Sequence, residues 1–380
     1  MPGQVMHILH VNRDATSPGG VPHQTRQLIA AQAALGLRIT VITLPGPVTI
    51  ESPCVNVHAL PADPIAGRRA LRSLLVPDPP DVCHFTALSI PEHIGWLSAV
   101  RSADIPYVVS PHGLLSPIGL NVRWEGKIQS PLRRIVKSAF RHVFDVPMLR
   151  HASAIHAQSE FERECVLSVH PGAKVNVIPL GVDREWVNES TARRRSLVPP
   201  LTLGYLGRLD VFHKGLDLVL DAVQNSVRVR SMRIVFAGSP VKRYHAALTR
   251  RAADLGVEIR GEIWGAEKER FWSQCHFFWG AFRFAGMARA IGEALGHGVP
   301  VIASREGNWG DVIAKNKMGC LVGLNSASVL ACLEKLLDMD ERSYSSLSFR
   351  AVNFAKNWSW HQVAASMVEM YSLLHTRIRN

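Results

Sequence analysis

Two cations, Arg208 and Lys214, flank a short stretch that also carries Gly207 and His213-Lys214-Gly215. Such a pair can neutralise the charge that grows on a diphosphate as its bond to a sugar breaks, with no metal required. The bland alternative is two surface cations beside a loop. Gly19-Gly20 is expected to open a helix after the first strand, where missing side chains let a phosphate reach the helix N-terminus. The N–H groups of Gly286, Met287 and Ala288 are expected to open a second such helix, running from Gly286 to His297. Glu293 on that helix, between Ile291 and Leu295, can accept hydrogen bonds from both hydroxyls of a ribose. Its plain alternative is an ion pair with Arg289, four residues earlier. His112, in Ser110-Pro111-His112-Gly113, follows a strand end and can touch a reacting sugar, although a lone loop histidine is more often structural or solvated. Together these residues outline a cradle for a nucleoside diphosphate.

Short apolar runs alternate with helical patterns, which predicts an α/β protein with parallel sheets covered on both faces. In the first half the strands are expected at Val5–Val11, Ile39–Leu44, Val82–Phe85, Tyr107–Ser110, Ala154–His156 and Val175–Pro179. In the second they are expected at Leu201–Leu206, Arg233–Ala237, Val257–Arg260, Phe277–Trp279, Pro300–Ala303 and Cys320–Val322. Each half then forms a doubly wound unit, with residues 184–200, arginine-rich and closed by Pro199-Pro200, as the linker. The expected domains are 1–183 and 201–357. Ligands of open α/β sheets bind beyond the carboxyl ends of the strands, which is where the glycine turns and cations fall.

Composition narrows the classes further. With 47% hydrophobic and 19% charged residues over 380 positions, the chain is an ordinary globular protein large enough for two domains. No apolar run approaches the roughly 18–20 residues that span a bilayer. The start shows no signal-peptide pattern. The six scattered cysteines form no C-x-x-C pair and suit a reducing cytoplasm. The net charge of +12 favours an anionic partner. Between Arg123 and Arg150 the cations Arg133, Lys137 and Arg141 repeat every four residues, opposite Leu132, Ile135, Val136, Ala139, Phe140 and Val143. Such a basic amphipathic helix suits an anionic membrane surface, and equally an ordinary solvated face. Nucleic acid is disfavoured, since no recognised module or aromatic ladder is present. Asp338-Met339-Asp340 has the spacing of a metal-binding D-x-D but closes a helical pattern, so it reads as an acidic helix end and no metal site is expected.

Several segments, in order, resemble a GT-B glycosyltransferase of the retaining class called glycosyltransferase family four, or group 1. They are the Gly19-Gly20 turn, Ser110–Gly113, Ile178-Pro179-Leu180-Gly181-Val182-Asp183, Gly204–Leu209 with Lys214-Gly215, Phe236-Ala237-Gly238, and Gly292–Ser304. Trp358-Ser359-Trp360 precedes a last helix, 359–378, like the one that crosses back onto the N-terminal domain in this family. The resemblance implies two Rossmann-like domains facing across a cleft. It implies a metal-independent transferase that moves a hexose from a UDP- or GDP-sugar to a glycan or lipid-linked acceptor of a cell-envelope polysaccharide. Arg208 and Lys214 would hold the diphosphate, Glu293 the ribose, His112 the transferred sugar, and the backbone around Gly261-Glu262-Ile263 the base. The protein would be cytoplasmic, or peripheral on the inner face of the membrane.

One position departs from the pattern. The family carries two glutamates seven residues apart, and the first would fall at Ala285. Phe282 and Trp279-Gly280-Ala281 also depart from type. In the mechanism assigned to this class the departing phosphate oxygen takes the acceptor's proton, so the missing carboxylate removes positioning and not a nucleophile. Two other readings stay open: a catalytically silent GT-B binding or scaffold protein, and a sugar-nucleotide epimerase of similar shape.

Overall fold

The computed structural model describes residues 5–17, 19–47, 50, 52–118, 131–188 and 196–379, with side chains to 374. The chain divides into two compact units: residues 1–120, 130–181 and 360–380 form the first, and 121–129 with 182–359 the second.

The first unit is built on a seven-stranded parallel sheet. Its strands are β1 (His7–Val11), β2 (Arg38–Thr43), β3 (Val55–Ala59), β4 (Val82–Thr86), β5 (Tyr107–Ser110), β6 (Ala154–Ala157) and β7 (Val175–Val177), in the order β3-β2-β1-β4-β5-β6-β7. The helices are α1 (Gly20–Ala34), α2 (Pro64–Leu75), α3 (Glu92–Ser102), α4 (Pro131–Phe140), α5 (Val146–Arg150) and α6 (Glu160–Val169). A π turn, Arg141–Asp145, joins α4 to α5. Strands β1 and β4 are buried along their whole length, as expected of central strands with helices on both faces. Their core includes Phe85, Trp96, Tyr107 and Leu71. Strand β3 was not expected from the sequence. Its residues are mostly exposed, so the apolar run that marks the other strands is missing from this edge.

The second unit repeats the plan on six strands. They are β8 (Thr202–Leu206), β9 (Arg233–Ala237), β10 (Glu258–Arg260), β11 (Phe277–Gly280), β12 (Val301–Ala303) and β13 (Gly319–Leu321), ordered β10-β9-β8-β11-β12-β13. Its helices are α7 (Leu216–Asn225), α8 (Val227–Arg230), α9 (Lys242–Asp254), α10 (Gly265–Gln274), α11 (Arg289–Gly296), α12 (Gly310–Lys315), α13 (Ser326–Leu337) and α14 (Glu341–Asn357). The last helix, α15 (Trp360–Arg379), belongs to the first unit and packs on α1.

In each sheet the order reverses beside its first strand, between β1 and β4 and between β8 and β11. A crevice opens at such a switch point because the loops on either side leave toward opposite faces. The two switch points are flanked by the loops that carry Gly19, Ser89, Arg208 and Ala285.

Two expectations are corrected here. The stretch expected to begin a linker, Arg184–Trp186, is a 3-10 turn of the second unit, and Trp186 is buried against Gly292 and Gly296 of α11. Residues 189–195 of the expected linker, and 123–130 of the expected basic helix, lie outside the described residues. Arg141 leaves the basic stripe: the π turn rotates it inward to 8% exposure, near Asp145. Asp338 and Asp340 do close and open helices, with Asp340 Oδ1 accepting the Ser343 N–H at 2.8 Å.

Candidate active site

In the second unit the turn after β8 is set by two glycines. Gly207 has φ +148°, and a Cβ on Gly238 of the neighbouring loop would lie 1.9 Å from the Gly207 carbonyl oxygen. The two strand ends therefore approach with no side chain between them. Tyr205, fully buried below, donates its hydroxyl to the Arg208 carbonyl at 2.7 Å. Arg208 projects outward, its side chain 48% exposed, with Asp210 3.8 Å away.

Lys214 enters at the start of α7, whose N-cap is Gly215 in a left-handed conformation with φ +63°. Trp279 Nε1 donates to the Lys214 carbonyl at 2.8 Å, and Lys214 Nζ sits over the Phe282 ring, 4.2 Å from its centre. Burial and then the Arg208 charge lower the Lys214 pKa to about 8, against a smaller opposite pull from Asp210. Lys214 thus feels the like charge of Arg208 more than the opposite charge of Asp210, an imbalance relieved by an arriving anion. His213, buried on the same turn, stacks on Phe284 at 4.2 Å and stays neutral because burial lowers its pKa to about 4. Arg283 grips the turn from below, with paired bonds of 2.7 Å to Asp217 and a third to the Phe212 carbonyl.

The expected helix Gly286–His297 is corrected to α11, Arg289–Gly296. Gly286 and Met287 lie in the preceding loop, and Ala288 is the extended N-cap. The loop is pinned through its carbonyls: Asn308 donates to Ala285 O at 2.6 Å and Trp309 to Ala288 O at 3.0 Å. Glu293 is 7% exposed, and Lys268 Nζ lies 3.2 Å from its Oε2. The alternative pairing with Arg289 is not formed. Arg289 instead lies over the Trp186 ring, with Asp183 4.0 Å away. Ile263 is buried in the loop after β10, where Gly261 O accepts from Gly238 N at 2.9 Å.

The other candidates lie in the first unit. Gly19, with φ +137°, caps α1 without a side-chain bond, and Gly20 is its first residue. His112 sits in a left-handed turn with φ +55°, followed by Gly113 at +77°. Its Nδ1 accepts from Gln158 Nε2 at 2.6 Å, which leaves the proton on Nε2. Burial lowers its pKa to about 3, so this neutral ring is a hydrogen-bond donor and not a cation. Glu162 fixes the turn, accepting the Gly113 N–H on one oxygen and the Gln158 N–H at 2.7 Å on the other. Gln158 and Glu162 went unnoticed in the sequence, although Ser159-x-x-Glu162 has the spacing of a helix capping box.

Behind His112 a row of buried rings crosses the sheet. His156 Nε2 bonds the Ile178 carbonyl at 2.7 Å and its Nδ1 meets Ser110 Oγ at 2.7 Å. Ser110 Oγ in turn meets His84 Nε2 at 2.6 Å, and His84 Nδ1 meets the Tyr371 hydroxyl of α15 at 2.6 Å. A carbonyl only accepts, so every proton in the row is assigned: His156 Nε2, Ser110, His84 Nε2 and Tyr371 all donate toward Ile178.

Two doubly wound units on parallel sheets of seven and six strands have the GT-B architecture. The chain belongs to the GT-B glycosyltransferases of the family four, group 1 type: residues 18–186 match Glycosyltransferase Family 4, and residues 200–339 match Glycosyl transferases group 1. It is similar to a D-inositol 3-phosphate glycosyltransferase of Corynebacterium aurimucosum, 26% identical over 299 residues, covering 73% of this chain and 68% of that protein. A protein of the same name in Corynebacterium glutamicum is 30% identical over 236 residues, covering 57% and 53%. Among solved structures, sucrose-phosphate synthase of Thermosynechococcus elongatus aligns over 98% of this chain and 100% of its own, with TM-score 0.73 and 17% identity. The UDP-glucose complex of Anabaena HepE aligns over 97% and 99%, with TM-score 0.69 and 18% identity.

Proposed function

We propose that the chain is a retaining, metal-independent glycosyltransferase that moves a hexose from a nucleoside-diphosphate sugar to a glycan or lipid-linked acceptor of a cell-envelope polysaccharide. The observation that carries this is the Arg208–Lys214 pair, in which Arg208 lowers the proton affinity of Lys214 more than Asp210 raises it, which suits a polyanion. In this reading the diphosphate binds both cations, gains charge as the glycosidic bond breaks, and is stabilised there. Glu293 leaves Lys268 or shares it to receive the ribose hydroxyls. The base rests against the backbone around Ile263, and the Gly19-Gly20 turn and the 286–288 loop offer backbone N–H groups to the donor. His112 donates from Nε2 to a hydroxyl of the transferred sugar.

UDP stands first among donors to test, because Anabaena HepE, whose fold this chain shares, is seen with UDP-glucose. GDP remains the second. The curated relatives are named for a phosphorylated polyol, which supports an acceptor that carries phosphate.

The membrane contact belongs to the same proposal. On α4 and the turn after it, Leu132, Ile135, Val136 and Val143 are each at least 60% exposed, beside Arg133, Arg134 and Lys137. An apolar face left in water among cations suits the interface of an anionic bilayer. No helix among the described residues is long and apolar enough to cross a membrane.

The test is release of nucleoside diphosphate from UDP- and GDP-sugars in the presence of membrane lipid extract, with free UDP and GDP titrated in parallel. Acceptor-dependent release that Glu293→Ala abolishes supports a transferase. Absence of both binding and release overturns the donor reading. Diphosphate binding without release, cured by Ala285→Glu, supports the silent alternative, which the alanine standing in the expected carboxylate's place at 285 favours.

A further inference from the structure

A groove of about 470 Å³ lies in the first unit between α3 and the segment from Phe140 to Met148. That volume is within the usual range for small-molecule sites. One wall is the stripe Ile94, Leu97 and Arg101, whose spacing puts them along one side of α3, with Ile90 just ahead of the helix. The other is apolar, with Phe140, Val143 and Phe144. The walls are tied at one end, where Asp145 accepts the Ser89 N–H at 2.9 Å and the Ser89 hydroxyl at 2.6 Å. The loop there is strained, with Ala87 at φ +71° and Ser89 at +57°. Toward the C-terminal end of α3 the lining turns polar, with Ser98, Arg101 and Ser102.

His93 lines this groove, is 3% exposed, and has no hydrogen-bond partner on either ring nitrogen. Its ring meets Phe85 edge-on and its nitrogens are closed to solvent, so it forms part of the groove's floor. Val143 both lines the groove and stands 61% exposed, continuous with the uncovered face of Leu132, Ile135 and Val136 and its three cations. A soluble ligand would fill the groove and leave that face in water. A lipid accounts for both.

We infer that this groove takes a single hydrocarbon chain of an anionic amphiphile, with its phosphate at Arg101, Ser98 and Ser102. The source of the chain rests on the membrane contact proposed above. The groove itself can be tested without a bilayer.

Trp96 is buried behind the groove, its ring centre 5.9 Å from that of His93, which lines it. Bromine on a lipid chain quenches tryptophan fluorescence over short range without needing an exposed ring, so Trp96 reports on groove occupancy. Two probes are used on the full chain: a brominated alkyl phosphate below its micelle concentration, and anionic phosphatidylglycerol vesicles with brominated chains. Both are expected to quench the wild type, and the increment is expected to vanish in Trp96→Phe, whose fold is checked by circular dichroism. Leu97→Glu is expected to weaken alkyl phosphate binding at least about tenfold, since a carboxylate would have to be buried beside the chain. Absence of Trp96-dependent quenching by the alkyl phosphate overturns the groove, even when the protein sediments with vesicles, a result that leaves the membrane contact standing. Quenching in a protein that fails to sediment upholds the groove and overturns the membrane contact. Displacement by inorganic phosphate at equal concentration would show that no chain is recognised, and would also overturn it.

Discussion

The carboxyl ends of the two sheets are built from the same topology and opposite electrostatics. In the second unit the loop after β8 keeps charge: Arg208 is half exposed, and Lys214 is held over Phe282 with its proton affinity lowered. In the first unit β1, β4, β5 and β6 carry His10, His84, Ser110 and His156, all buried: His84, Ser110 and His156 are bonded in a row, and His10 is bonded to Gln32. The fold therefore supplies a switch-point crevice in both cases, and the side chains decide whether it attracts a polyanion or organises neutral donors. A charged end invites a ligand to complete it. A neutral network completes itself.

Acid gives the largest expected separation between the two. Burial lowers the folded pKa of His10 and His156 to about 4, of His93 and His112 to about 3, and of His84 well below the usual 6.5. Below 6.5 the unfolded chain binds protons that the folded first unit refuses. Stability from these groups is thus full above 6.5 and lost as pH falls toward their folded values, by up to about 1.4 kcal/mol per pH unit for each group. Glu162 works in the other direction: burial raises it to about 7, so its contribution is present below 4.5 and lost as pH rises through 7. Urea unfolding from pH 7.5 to 4.5, followed by tryptophans of each unit, should show the first unit failing sooner. Parallel loss in both units would break the contrast.

Next in size is Lys214→Met. Removing one of two cations from a developing diphosphate should lower kcat/KM by about 10²–10³-fold, with UDP affinity falling in calorimetry. Unchanged UDP binding would show that the second unit's charge is not a ligand site. Ser110→Ala is smaller and acts on the other side of the comparison. It strands His84 Nε2–H and His156 Nδ1, at an expected cost of about 1–3 kcal/mol in the denaturation midpoint. No change would mean the row is not a network. The smallest effect is expected from Ala285→Glu, a gain of about tenfold or less in kcat from restored sugar positioning, measured with the best donor.

Much of the site was legible because its parts are local. Gly19-Gly20, Gly207-Arg208 and Lys214-Gly215 each fall after a strand and no later than the start of the helix that follows it, so order and spacing expose them as candidates. Phe282 and Phe284 were visible only as departures from type. Their use, a ring under Lys214 and a ring on His213, depends on a loop path that no short motif encodes. Glu293 was located correctly on its helix, but its partner Lys268 lies 25 positions away, where helix spacing has no reach. The same limit hid the row of histidines: His84 and Tyr371 are 287 positions apart.

The sequence by itself determined the doubly wound class, the positions of most strands and the existence of a cation pair near a helix start. Alternation of apolar runs and glycine turns is written one residue after another, and backbone sterics read it locally. Only the tertiary structure decided which charges are neighbours, which rings are buried and neutral, and that Arg141 faces inward while Leu132, Ile135 and Val136 face out. Those outcomes depend on desolvation and on partners supplied by other elements, and both exist only once the sheets and helices have packed.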